Sequence, residues 1–165
     1  MSWAMLAYWE TLLAEMTMEK MMLWYDLHQL HERYLDVVDS DHFEQLPDLF
    51  TEDCVYELVP RQSADEVCPA GIIRCSGRSM LRSGIVKPRI TNAFEAHKFR
   101  HLASGLEITR VDTNTADMQS DYVVIQIHRD GQAHIYQTGR YFDRVVRMAD
   151  GWRYQRKTAI YDTSY

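Results

Sequence analysis

DMQSDYVVIQIHRDGQAHIYQTGRYFDRVVRMADGWRYQRKTAIYD, residues 117–162, is the stretch that decides the fold of this chain. The dipeptides Asp130-Gly131 and Asp150-Gly151, which are typical of tight hairpin turns, divide it into three segments rich in Tyr, Val and Ile. The predicted strands lie at 117–129, 132–147 and 152–161. Because strands this long twist and curl, the sheet should be strongly curved and should enclose a hollow on one face.

Helical patterns and one further long strand precede this stretch. Apolar residues at helical spacing predict helices near Leu6–Met16 and at Met21–Asp39. Smaller predicted elements follow: a short helix at His42–Phe50, strands at Cys54–Val59 and Ile72-Ile73, a helix containing Met80–Val86 that begins at a capping Ser76 or Ser79, and a strand at Phe99–Val111. Because helices come first and strands follow, we predict an α+β fold. It is a cone-like, strongly curved antiparallel or mixed sheet with the N-terminal helices packed in its concave side.

Two glycines, Gly105 and Gly139, lie inside predicted strands. A strand position without a side chain commonly marks a bulge or a sharp bend. We therefore expect the sheet to bend at both positions.

Length and composition limit the classes of protein that fit. The 165 residues are enough for one core, and we divide the chain into an N-terminal helical extension, 1–20, and a single domain, 21–165. A net charge of −6 without basic runs argues against nucleic acid as a partner. The odd number of cysteines and the lack of a secretory or membrane-spanning pattern predict a cytoplasmic chain.

The histidines do not predict a metal site. His97 and His101 are four residues apart, but in a strand their rings would stand about 13 Å apart, too far to share one ion. His28 and His31 are three apart on a predicted helix and fit the polar edge of a packed stripe. We therefore expect neither a metal nor a cofactor in this chain.

Several polar residues of the predicted strands could line the hollow. They are Tyr56, His101, Tyr122, Tyr136 and Tyr141. Such groups could perform acid–base chemistry in a cavity, but packing of a chain with 12% aromatic residues explains most of them.

Three motifs follow one another in the order SDHFEQLPDLFTEDCVY (40–56), FRHL (99–102), and GRYFDR (139–144) with DGWR (150–153). In this order and spacing they resemble the small (β) subunits of aromatic-ring-hydroxylating dioxygenases, over about residues 23–162. The stretches Ala70–Ile72 and Glu95–Leu102 are most similar to the aromatic-acid branch of that family, such as the terephthalate 1,2-dioxygenase small subunit.

The resemblance implies a nuclear transport factor 2-like, or cystatin-like, cone that assembles as three β with three α subunits. It implies a non-catalytic small subunit in the dihydroxylation of an aromatic compound, in particular an aromatic carboxylic acid. The Rieske cluster and the mononuclear Fe(II) then belong to the large α subunit. The residues agree, because neither the paired Cys and His of a Rieske centre nor a two-His-one-carboxylate set has a matching pattern here.

Two other functions stay open at this point. One is a stand-alone isomerase, dehydratase or cyclase of the same fold, which would use His101 with a Tyr or Asp of the hollow. The other is a module that binds a small ligand or a protein. Cations of the last two strands favour a subunit interface, although a solvated outer sheet face would also carry them. They are Arg140, Arg144, Arg147, Arg153 and Arg156, with Lys157 beside them.

Overall fold

A computed structural model of the chain describes residues 17–63, 73–86 and 98–162. Its helices are α1 (Met18–Asp39), a 3-10 helix (Phe43–Leu49), a short 3-10 turn (Arg61–Ser63), and α2 (Arg78–Leu81), which continues as one π-helical turn (Arg82–Val86). Its strands are β1 (Phe50–Pro60), β2 (Ile73–Ser76), β3 (Lys98–Val111), β4 (Thr115–Ile127), β5 (Ala133–Met148) and β6 (Gly151–Tyr161).

The six strands form one mixed sheet in the order β2-β1-β6-β5-β4-β3. β1 runs parallel to β6, and every other neighbouring pair is antiparallel. The long strands β3 to β6 follow one another through short turns, as the stretch 117–162 predicts. The Asp-Gly turns have the positive φ angles that glycine tolerates, 85° at Gly131 and 126° at Gly151.

Helix α1 lies in the concave side of this sheet, which confirms the predicted arrangement. Thr17 caps its start, since the Thr17 hydroxyl accepts a hydrogen bond from the Lys20 backbone N–H at 3.3 Å. Its buried residues recur at helical spacing: Leu27, Leu30, His31, Tyr34, Leu35 and Val37. Side chains of α1 contact β1, β3, β4, β5 and β6, which only a sheet curled around the helix permits.

Alternation along the strands decides which side chains enter the core. In β4 the even-numbered residues from Ala116 to Val124 are buried, and in β5 the odd-numbered residues from Gly139 to Val145 are buried. In β6 the register with β5 shifts between Arg144 and Val145, so Gln155 is an extra residue. Beyond this bulge Lys157 and Ala159 point inward in place of the even-numbered residues.

Several local predictions need correction. The helix after β2 is not capped by Ser76 or Ser79: Gly77 occupies the N-cap with no side-chain hydrogen bond, and the helix soon widens into a π turn. The predicted short helix at 42–50 is a 3-10 helix, because Pro47 lies within it and cannot donate the backbone hydrogen bond of a regular α-helix. β1 begins at Phe50 rather than Cys54.

The two strand glycines behave differently. Gly105 has a φ of 65° and lies where the register of β3 with β4 shifts, so it forms the expected bulge. Gly139 is not at a bulge, because the register shift in this part of β5 falls at Tyr136. A Cβ at Gly139 would lie 2.2 Å from the Ile160 carbonyl oxygen, so glycine allows β5 and β6 to approach closely.

Some predictions lie outside the described residues: the first helix near 6–16, most of the 1–20 extension, Cys68 and His97. Among the helices that the structure describes, none has the length and apolar character needed to cross a membrane.

Candidate functional site

The centre of the cone holds a buried cluster of polar and aromatic side chains rather than a purely apolar core. β5 supplies Tyr141 and Asp143, and β6 supplies Tyr154 and Lys157. Asp143 and Lys157 are direct cross-strand partners, so both side chains leave the sheet at the same point. Helix α1 closes the cluster from the other side with His31 and Tyr34, both buried.

Lys157 is the one buried cation among the described residues of the sheet. Its side chain is 0% exposed, and its Nζ donates a hydrogen bond of 2.8 Å to Asp143 Oδ2. Burial raises the pKa of Asp143 to about 6, although the Lys157 ammonium pulls it down. Burial likewise lowers the pKa of Lys157, against the attraction of Asp143. Because each charge is the other's counter-ion, the two groups stay ionised as a pair at neutral pH.

His31 is buried and neutral. Burial, reinforced by the Lys157 charge, lowers the pKa of its imidazole to about 2. Its Nε2 lies 3.3 Å from Ser120 Oγ and its Nδ1 lies 3.5 Å from the Tyr154 hydroxyl. The ring therefore packs as an uncharged polar group, and it cannot serve as a proton acceptor near pH 7.

The tyrosines of the cluster contact one another through hydroxyl groups and stacked rings. The Tyr34 and Tyr56 hydroxyls are 3.1 Å apart, and the Tyr122 ring stacks on Tyr141 with centroids at 4.3 Å. Tyr122 also donates a hydrogen bond of 3.0 Å to Gln137 Oε1. Burial raises the pKa of the phenols, so they remain protonated; this applies to Tyr34, Tyr122, Tyr141 and Tyr154. They act as packing and hydrogen-bonding groups rather than as bases.

The predicted cavity residues do not form one site. Tyr56, Tyr122 and Tyr141 meet in the buried cluster, between the sheet and α1. Tyr136 stands apart, because it is the extra residue of the β5 bulge: it remains 43% exposed with its ring 5.1 Å from that of Phe99. His101 forms a separate pair with Asp39.

The Asp39–His101 pair joins the end of α1 to β3. Asp39 accepts a hydrogen bond of 2.9 Å from the His101 backbone N–H and lies 2.6 Å from His101 Nδ1. The Asp39 side chain is 5% exposed, and Arg100 stands 3.7 Å away from it. A carboxylate that ends a helix faces the negative end of the helix dipole, so the His101 contacts compensate for an unfavourable position. The pair orients the imidazole through Nδ1, as a carboxylate does for a functional histidine.

The five predicted interface arginines lie in two places. Arg140, Arg144 and Arg156 stand on the outer face of the sheet, where each forms an ion pair. Their partners are Asp121 at 2.7 Å, Asp117 at 2.8 Å and Glu57 at 3.2 Å. Phe142, 40% exposed, lies between Arg140 and Arg144.

The other two arginines lie at the β5–β6 turn. Arg153 pairs with Asp150 at 2.7 Å, and the Arg147 guanidinium lies 6.0 Å from the centre of the Trp152 ring. The sequence analysis groups Lys157 with these surface cations. That placement is wrong, because Lys157 is buried inside the cone.

Metal ligands do not converge in the described part of the chain. No group of three His, Cys, Asp or Glu side chains lies close enough to hold an ion there. Cys54 and Cys75 are free and buried, and burial raises the pKa of both thiols, which opposes the thiolate form that metals require. Among the residues that the structure describes, the donor set therefore does not fit an iron–sulfur cluster or a mononuclear iron.

Sequence reasoning did not predict the positions and contacts of His31, Asp39, Asp143 and Lys157. Asp39 could have been found, since an acidic residue in the last turn of a predicted helix contradicts the helix dipole. Lys157 could not, because simple alternation from Trp152 and Tyr154 places it outside, and only the bulge at Gln155 turns it inward.

Comparison with known proteins identifies relatives over nearly the whole chain. The SnoaL-like domain family matches residues 25–158. The anthranilate 1,2-dioxygenase small subunit of Burkholderia cepacia is 44% identical over 146 residues, covering 88% of this chain and 91% of the relative. The terephthalate 1,2-dioxygenase terminal oxygenase component subunit beta 2 of Comamonas sp is 30% identical over 131 residues, covering 79% and 85%.

A solved structure gives the same result. It is described as the beta subunit of an aromatic-ring-hydroxylating dioxygenase from Novosphingobium aromaticivorans. Its TM-score is 0.78 at 29% identity, over 88% of this chain and 92% of that one. The curved-sheet fold and the family expected from the sequence are both confirmed.

Proposed function

Since the chain belongs to the SnoaL-like family and, within it, to the small subunits of aromatic-ring-hydroxylating dioxygenases, we propose that its oxygenase acts on an aromatic carboxylic acid. The observation that carries this proposal is the 44% identity to the anthranilate 1,2-dioxygenase small subunit along nearly the full length of both chains. The terephthalate relative also acts, by its name, on a benzene ring that bears a carboxylate. Anthranilate is therefore the first substrate to test.

The partner is a large subunit, and the proposed division of labour leaves the iron chemistry to it. The Rieske cluster and the mononuclear Fe(II) would both lie in the large subunit, because this chain offers no matching donors among its described residues. The buried polar groups support a structural role: His31 is neutral, and Asp143 is paired with Lys157. The chain would thus support the catalytic subunit without touching substrate. We place the assembly in the cytoplasm.

Self-association as a homotrimer is the second part of the proposal, and the outer face of the sheet is the surface that suits it. Phe142 supplies an exposed apolar centre, with Gln119 and Thr158 as its cross-strand neighbours. The surrounding guanidinium groups already have carboxylate partners in the same chain. A partner subunit can bury such ion pairs without burying an unpaired charge. Burial of an isolated cation would cost more free energy, because its charge would lose its hydration without gaining a partner.

The stand-alone enzyme remains the alternative, and the Asp39–His101 pair is the observation that favours it. An imidazole held by a carboxylate at 2.6 Å can act as a general base in a cavity. In the assembly we expect it to tie α1 to β3 instead. The variant His101→Gln should then leave turnover of the assembled oxygenase within about twofold, whereas a catalytic base would lose at least about 100-fold.

The functional test uses co-expression with the large-subunit chain of the same organism, recognised by its Cys-x-His and Cys-x-x-His pairs. The purified complex, supplied with a reductase, should consume O₂ with anthranilate, and the small subunit alone should not. Faster turnover of terephthalate than of anthranilate would contradict the choice of substrate. Turnover of either acid by this chain alone would contradict the non-catalytic role.

The assembly test uses a charge placed at the centre of the outer face. Phe142→Glu should convert the trimer to a monomer in sedimentation velocity, with an unchanged far-UV spectrum. Met148→Glu is the matched control, because Met148 lies on the same strand at 47% exposure but near the β5–β6 turn. A monomeric wild-type chain, or a trimer that survives Phe142→Glu and not Met148→Glu, would refute the proposed interface.

The arginines are tested in two groups. Arg140→Ala, Arg144→Ala and Arg156→Ala together remove the outer-face guanidinium groups. Arg147→Ala with Arg153→Ala removes the pair at the β5–β6 turn. The outer-face variant should weaken trimer formation more than the turn variant, and the reverse order would move the interface to the turn.

A further inference from the structure

The ammonium group of Lys157 is enclosed by three aromatic rings as well as by Asp143. Its Nζ lies 4.2 Å from the centre of the Tyr34 ring, 4.1 Å from Tyr141 and 4.5 Å from Tyr154. All three distances are well inside the range of about 6 Å over which a cation is attracted to the face of a ring.

We infer that the interior of this chain is an aromatic cage for an organic ammonium ion, and that the chain supplies the ion itself as the Lys157 side chain. We call the three rings, with the Asp143 carboxylate, the tyrosine cage. Aromatic faces and one carboxylate are the chemistry by which proteins bind alkylammonium ligands. The hollow of this cone is therefore a binding site whose ligand is covalently attached.

The walls of the tyrosine cage are held by contacts that do not involve Lys157. Tyr34 packs edge-on against Tyr141 and Tyr154, with centroids 6.0 and 5.9 Å apart. The Tyr34 hydroxyl contacts the Tyr56 hydroxyl, and Tyr141 stacks on Tyr122. Removal of the lysine stem should consequently leave the rings in place and open a cavity between them.

The Asp143 carboxylate of the tyrosine cage can accept a further hydrogen bond. Asp143 Oδ2 accepts the Lys157 hydrogen bond, but Asp143 Oδ1 is buried and has no hydrogen-bond partner in the described structure. A free ammonium carries three N–H donors and can rotate to use both carboxylate oxygens. A ligand that replaces the lysine stem can therefore satisfy the carboxylate at least as well as Lys157 does.

The size of the ligand follows from the covalent structure of lysine. Lys157→Ala keeps Cβ and removes three methylene carbons and the nitrogen, which is the outline of n-propylammonium. Even at the best efficiency known for tiny ligands, four heavy atoms bind no tighter than tens of micromolar, so at ordinary efficiency we expect a dissociation constant on the order of a millimolar. Methylammonium is too short to fill the cavity, and hexylammonium is too long to fit it.

The experiment measures the urea midpoint of the full-length Lys157→Ala chain in propylammonium chloride at constant ionic strength. We expect a saturable rise with half-effect on the order of millimolar concentration. The uncharged 1-propanol and the misfitting methylammonium and hexylammonium should raise the midpoint less than half as much. The wild-type chain, whose cage is filled, should not respond. The inference is overturned if propylammonium raises the urea midpoint of Lys157→Ala no more than 1-propanol does. It is also overturned if propylammonium raises the midpoint of the wild-type chain by the same amount.

A second measurement does not depend on the variant being stable. In the wild-type chain, the protons next to the Lys157 nitrogen should appear upfield of those of an exposed lysine, since three aromatic rings shield them. Their NMR signals are identified by their loss in Lys157→Met. If Lys157→Ala does not fold unaided, refolding from urea with propylammonium should recover it, while 1-propanol should not. Unshifted lysine protons, or refolding that ignores the ammonium, would each refute the cage.

Discussion

His31 should make the stability of this chain fall steeply in mild acid. The imidazole is 2% exposed and packs against Ser120 and Tyr154, and burial lowers its pKa to about 2. In the unfolded chain the same group has a pKa of 6.5. Below pH 6.5 the unfolded state therefore binds a proton that the folded state refuses. The contribution of neutral His31 to the free energy of unfolding is fully present above pH 6.5 and is lost as the pH falls towards 2.

The size of this effect follows from the two pKa values. Each pH unit between them changes the free energy of unfolding by about 1.4 kcal/mol for one proton. A pH of 4.5 lies two units below the unfolded-state pKa of 6.5. The loss of unfolding free energy assigned to His31 between pH 7.5 and 4.5 is therefore about 2.7 kcal/mol. That is a large fraction of the roughly 5–15 kcal/mol by which a domain is stable.

Urea unfolding at pH 7.5, 5.5 and 4.5, at one protein concentration, measures the effect. The variant His31→Gln cannot titrate, so its stability should fall by about 2–3 kcal/mol less than that of the wild type over this range. The control His42→Gln removes an exposed histidine and should leave the wild-type slope unchanged. Parallel pH profiles of wild type and His31→Gln would refute the claim that the folded chain keeps His31 neutral.

Three further perturbations test the packing of the sheet. Lys157→Met alone should destabilise by about 3–5 kcal/mol, because it strands the buried Asp143, and Lys157→Met with Asp143→Leu should recover most of that loss in urea unfolding. A double variant no more stable than the single one would contradict this assignment. Gly139→Ala should cost about 3 kcal/mol or prevent folding, since its Cβ would lie 2.2 Å from the Ile160 carbonyl oxygen. Gly131→Asn, at a left-handed turn position with open space, should change the urea midpoint little, and equal losses for the two glycines would refute the close approach.

Much of the fold could be predicted because its signals are local. Two Asp-Gly turns bound the long β5 strand, and the apolar spacing of α1 identifies the face that enters the hollow. The helix caps were less predictable: of the two serines proposed as the cap of α2, Ser76 precedes Gly77 and Ser79 lies inside the helix, and Gly77 occupies the cap. Local hydrogen-bonding propensity was overridden there by the path that the chain takes from β2.

The composition of the interior could not be predicted, because it depends on where the sheet breaks its alternation. The extra residue Gln155 turns Lys157 inward, and the extra residue Tyr136 leaves its own ring at the margin of the sheet. Bulges have weak sequence signals, so a lysine between Arg156 and Thr158 looks like any surface cation. The pairing of Asp39 with His101 joins residues 62 positions apart, which no local pattern encodes.

Assembly with the large subunit is the central claim, and native mass spectrometry of the co-expressed chains tests it most directly. We expect a complex with equal numbers of this chain and the large subunit, three of each, and all of its iron should follow the large subunit when the complex is dissociated. This chain released alone should carry no iron and should form a trimer. Recovery of the two chains as separate species, or of iron with this chain, would contradict the account.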